Sequence, residues 1–113
     1  VTRFEVTRHV AADPAGVALL LAEPASWSDL YHHWVVAAPR RVGEGFAAAV
    51  QVAADSGRLA RGVISVATSP EVGCEVRLVI NACDGAVAHD VEQSASRFLD
   101  ALAERARERS FAA

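Results

Sequence analysis

Between Asp90 and Arg109 the apolar side chains fall at Val91, Ala95, Phe98, Leu99, Leu102 and Ala106, a single stripe with helical period. The opposite side carries Glu92, Asp100, Glu104, Arg105, Glu108 and Arg109, with acids early and arginines late, as the helix dipole favours. A helix with one apolar face must bury it against a partner surface. The rest of the chain is patterned mainly for strands, so the spacing predicts an α+β domain in which this terminal helix packs on a sheet.

From Arg3 to Ala11, Phe4, Val6 and Val10 alternate with Glu5, Thr7 and His9, the period of a half-buried strand, and Arg8 falls on the apolar side. Asp13-Pro14 supplies an N-cap and a proline at the first helical position for a short helix through Val17, Leu20 and Leu21, which Pro24 ends. A second short helix is expected from Ser26, with Trp27, Leu30 and Tyr31 at helical spacing. The pattern then turns extended. One run covers Trp34 to Val42, Gly43-Glu44-Gly45 makes a turn, and Phe46 to Ala54 returns as a hairpin. Asp55-Ser56-Gly57 turns again into a strand around Gly62 to Thr68. Ser69-Pro70 breaks that strand before Val72 to Cys83, in which Cys74, Val76, Leu78 and Ile80 share a face. Strands joined by such short turns connect most simply as an antiparallel meander. Ser110 to Ala113 reads as a tail, and residues 1–113 as one domain.

Composition narrows the function. The hydrophobic fraction is 52% but aromatics are 6%, so small alanine and valine dominate and the core depends on close backbone approach. Formal charge is −3, with no lysine and eleven arginines, in keeping with a GC-rich bacterial genome; this balance argues against a nucleic-acid binder, whose affinity rests on clustered cations. The longest apolar run, Val17 to Ala22, is bounded by Pro14 and Pro24 and is far too short to span a membrane. No basic-then-apolar leader is visible, so a cytoplasmic location is expected. Cys74 and Cys83 have neither CxxC spacing nor supporting histidines, and are read as reduced structural thiols. His32 and His33 are adjacent and diverge on either a strand or a helix, so they do not chelate together; no metal and no cofactor is expected. The chain has no GxSxG elbow, P-loop, GxGxxG or HExxH.

The opening strand followed by "HVAADPAGVALLLAEPASWSDLY", with a proline-capped helix preceding a tryptophan, and the closing "SASRFLDALAERARERS" resemble the START-like (SRPBCC) superfamily of polyketide cyclases, aromatases and small lipid carriers. The resemblance implies the helix-grip fold: an N-terminal strand, two short helices, an antiparallel sheet of about five or six strands, and a long C-terminal helix across the sheet. It implies a hydrophobic small molecule or lipid held between sheet and helix. Phe98 and Leu102 would be helical walls, with Trp27, Tyr31 and Trp34 near the entrance. The same resemblance leaves an enzyme of the aromatase or cyclase type as the alternative, and a dimeric interaction protein, pairing through a sheet edge, as a third reading.

Arg8 is the polar candidate. A guanidinium on an apolar strand face needs a carboxylate, a phosphate or a carbonyl-rich ligand to offset desolvation, and would orient an acidic ligand; alternatively its long stem carries it to solvent. His32 and His33 titrate near neutral pH and suit proton transfer, but the sequence assigns them no partner.

Overall fold

A computed structural model describes residues 2–23, 34–53, 59–69, 72–82 and 85–112. The predicted second short helix from Ser26, with Trp27 and Tyr31, and the pair His32 and His33 lie outside these residues, as does Cys83.

The first strand, β1, is Thr2–Val10, and the helix α1 is Pro14–Ala22. The Asp13 carboxylate accepts a 2.8 Å hydrogen bond from the Ala15 amide, capping α1 as the sequence indicates. Glu23, extended at φ −104° and ψ 90°, ends the helix, the backbone region to which a following proline confines its neighbour.

Two short strands follow, β2 at Trp34–Val36 and β3 at Arg40–Val42, where the sequence pattern predicts one continuous run. Both pair antiparallel with β4, Gly45–Ala53. Val36 stands opposite Val50 and Arg40 opposite Ala47, so residues 37–39 face only residues 48 and 49: one extra residue bulges out. Pro39, with no amide hydrogen for the ladder, explains the interruption. Gly43 and Glu44 form the two-residue turn between β3 and β4, with positive φ only at Gly43 (60°), the pattern of a type II′ hairpin. Strand β5 runs Leu59–Thr68 and β6 runs Cys74–Ala82. The terminal helix α2 spans Gly85–Ala112, 28 residues, longer at both ends than the apolar stripe.

The sheet has six strands in the order β1-β6-β5-β4-β2, with β3 also on β4, all antiparallel. Register carries one continuous apolar layer across it. Val6 faces Leu78, which faces Ile64, which faces Ala48; one inward row along Val66 faces Val76, and in the next Val10 faces Cys74. All of these side chains are buried. The six residues of the α2 stripe are buried against this layer. At Gly62 the strands come so close that a Cβ would run into the Val79 carbonyl and the Ile80 side chain.

Helix α2 packs chiefly on β1 and β6, while α1 lies against β4, β5 and α2. Trp34, on the opposite edge of the sheet from β1, nevertheless reaches α2. Both edges of the sheet therefore meet the same helix, which requires a sheet curved around it.

Candidate functional site

The concave side of the sheet and the inner face of α2 enclose an interior of aliphatic and aromatic side chains with no buried charged group among the described residues. Its polar feature is at the β2 side. The Trp34 indole, 2% exposed, stacks on the Phe98 ring with centroids 4.8 Å apart and planes 15° apart. Its Nε1–H donates to Ser94 Oγ at 2.9 Å. Ser94 and Phe98 are one helical turn apart, so a single face of α2 presents a ring and a hydroxyl to the indole together. The bond satisfies an indole N–H that would be costly to bury alone. Leu102, one further turn along, is also buried in this layer.

Trp34, Phe98 and Leu102, three of the six residues singled out from the sequence, are thus brought into one cluster. Trp27 and Tyr31 lie outside the described residues. Arg8 stands apart: its Cα shares the inward register with Val6 and Val10, but its side chain leaves along the margin between β1 and α2. There Nε donates to Asp100 Oδ1 at 2.8 Å, and Nη1 to the Thr7 carbonyl at 2.9 Å. The chain itself supplies the carboxylate, 92 positions away. The pair borders a surface groove of ≈ 440 Å³ whose lining includes His9, Glu104 and Arg107. Both partners are substantially solvated, at 37% and 64% exposure, so Arg8 is not a buried cation awaiting a ligand.

Cys74, at the start of β6, is a free, fully buried thiol. Burial, with the Asp13 carboxylate adding repulsion, pushes its pKa up to about 11, so at neutral pH it is a neutral, poorly nucleophilic group. On the outer face His9 Nε2 meets the Val72 carbonyl at 3.0 Å, and Arg77 pairs with Glu5 at 3.0 Å. His89 is exposed on α2 beside Gln93. No cluster of three or more potential metal ligands occurs among the described residues.

Ser94 is the functional candidate that sequence reasoning passes over. Its available signal is slight: a small polar residue four positions before Phe98, at the border of the apolar stripe.

Solved structures share this architecture over nearly the whole chain. An AHSA1-like protein of Rhizobium etli matches with a TM-score of 0.64 at 20% identity, covering 93% of this chain and 83% of its own. The di-domain ARO/CYC StfQ of the steffimycin biosynthetic pathway matches with a TM-score of 0.59 at 13% identity, covering 96% of this chain and 52% of its own. The fold is the START-like helix grip. A Mesorhizobium loti protein matches at a TM-score of 0.69 and 10% identity, with 92% of this chain and 96% of that one covered. No family model matches the sequence, and no curated protein matches it significantly. At these identities the START-like likeness establishes the fold, and what the interior accepts is argued from this chain's own residues.

Proposed function

We propose that the protein is a binding module that holds a hydrophobic or amphipathic small molecule between its curved sheet and α2. The observation that carries this reading is how the interior is closed at the β2 side: by an aromatic side chain from a three-residue strand, stacked on Phe98 and tethered to Ser94, rather than by backbone pairing. A side chain on a short strand can rotate to admit a guest, whereas a hydrogen-bonded strand cannot. Phe98 and Leu102 are the helical walls, Trp34 is the movable one, and Trp27 and Tyr31 belong at the entrance. An interior without buried charge among the described residues suits an apolar guest better than an ionic one.

A cyclase or aromatase reading is the second, favoured by the shared fold of the ARO/CYC protein StfQ. It requires groups that move protons, and the candidates are Tyr31, His32 and His33. A second copy of the chain would pair at β1, which ends the strand order with no strand beyond it among the described residues.

Native mass spectrometry of the protein, purified without detergent, tests the binding reading and the assembly state together. A retained apolar molecule, or uptake of an added fatty acid or aromatic probe with shifts in the Trp34 indole and Phe98 ring resonances, is the expected result. A protein that takes up none of these, with interior resonances unmoved, overturns the binding reading.

A further inference from the structure

The Trp34 indole is placed much as a bound ligand would be. It is a flat bicyclic ring, nearly coplanar with Phe98 at a stacking distance, and its single polar atom is received by a single partner, Ser94 Oγ. It comes from outside the helix that receives it, 60 positions away in sequence, and among the described residues its strand is held along one side, by β4. The receiving surface belongs to α2. Phe98 supplies a π face, and Ser94 supplies an acceptor one turn before it. Buried strand residues such as Val50 and Val52 belong to the same core cluster. A surface with these parts recognises a fused planar aromatic carrying one hydrogen-bond donor.

We propose that the Phe98 ring and the Ser94 hydroxyl form a recognition subsite for a planar aromatic ligand bearing a hydroxyl or N–H donor, which the Trp34 indole occupies as an internal stand-in until such a ligand displaces it. This rests on the binding reading above and names the ligand class within it. Stacking on Phe98 is available to any flat ring, so shape alone does not discriminate. Ser94 does: a ring with a donor gives the Ser94 oxygen a bond in place of the one the indole gives up, whereas a ring without one leaves that oxygen without it.

The test compares naphthol with naphthalene, which differ by one hydroxyl, by following the ¹H–¹⁵N indole signal of Trp34 in the intact protein. Naphthol is expected to bind roughly fivefold more tightly than naphthalene, as one net hydrogen bond implies, and to move the indole signal. Ser94→Ala is expected to abolish that preference while the protein still binds aromatic rings. Equal affinity for the two probes in the wild-type protein, or a preference retained in Ser94→Ala, overturns the subsite while leaving the binding reading standing. If the wild-type protein binds neither probe, the binding reading fails for aromatic guests, and the variant Trp34→Gly decides the subsite by itself. With the stand-in removed and the fold confirmed by circular dichroism, it is expected to take up indole, and Trp34→Gly with Ser94→Ala to do so several-fold more weakly. Failure of the folded Trp34→Gly protein to bind indole overturns the proposal. Should Trp34→Gly not fold, the wild-type and Ser94→Ala titrations remain decisive, and absence of probe binding to the wild-type protein then counts against the subsite.

Discussion

Cys74 shows how one residue's surroundings become a property of the whole protein. Its ordinary pKa of 9.0 rises to about 11 in the fold, through burial first and the Asp13 carboxylate second. Between these values the unfolded chain has released the thiol proton while the folded protein still holds it. Stability is therefore fully present below pH 9 and falls as pH rises toward 11, by up to about 3 kcal/mol. Urea denaturation across this range is expected to show the decline, and Cys74→Ala, less stable at neutral pH, to lack this component of it. Arg8 and Asp100 give the opposite case. Their bond is short but solvated, so Asp100→Asn is expected to change stability by less than about 1 kcal/mol, and still less at high salt. The two residues also mark a limit of sequence reading. Arg8 stands out because it breaks the alternation of β1, but nothing in the sequence joins it to Asp100, which looks like one of several acids on a solvated helix face.

Among the elements, legibility follows periodicity. The α2 stripe was readable residue by residue because burial on a helix leaves a regular mark, and Val91 through Ala106 are buried as that mark indicates. β1 and β6 were readable for the same reason, at period two. The split into β2 and β3 was not, because its cause is one proline and one surplus residue, and extended backbone continues on both sides of the bulge. The extra turns of α2 were hidden because Asp84-Gly85 reads as a turn and Ser110 to Ala113 as a tail. Of the candidate site, the aromatic members were legible and Ser94 was not: a single serine has no period, and its role exists only once β2 is folded against α2. The packing itself yields a prediction. Phe98 anchors the stripe to the Trp34 ring, so Phe98→Ala is expected to cost about 3–5 kcal/mol and to release Trp34, seen as a lower thermal midpoint and a red-shifted tryptophan emission. At Gly62 the limit is steric instead: Gly62→Ala is expected to destabilise by about 1–3 kcal/mol, because the added carbon meets the Val79 backbone.

For the whole molecule, one buried cluster draws residues from α1, α2 and every strand except β3. No described element has a core of its own. Treating residues 1–113 as one unit, the protein is expected to unfold in a single transition, with near-UV circular dichroism and backbone amide signals melting together; two separated midpoints would show that α1 or the hairpin side comes apart independently. The pairing of β1 with β6 has a further consequence. Those strands join residues 2–10 to residues 74–82, and α2, which covers them both, follows later still. During synthesis β1 leaves the ribosome ahead of the other strands of this sheet but lacks its partner strand until β6 has emerged. The earliest strand of this sheet is thus among the last to be secured, and for that interval its apolar face is open to chaperones and to neighbouring nascent chains.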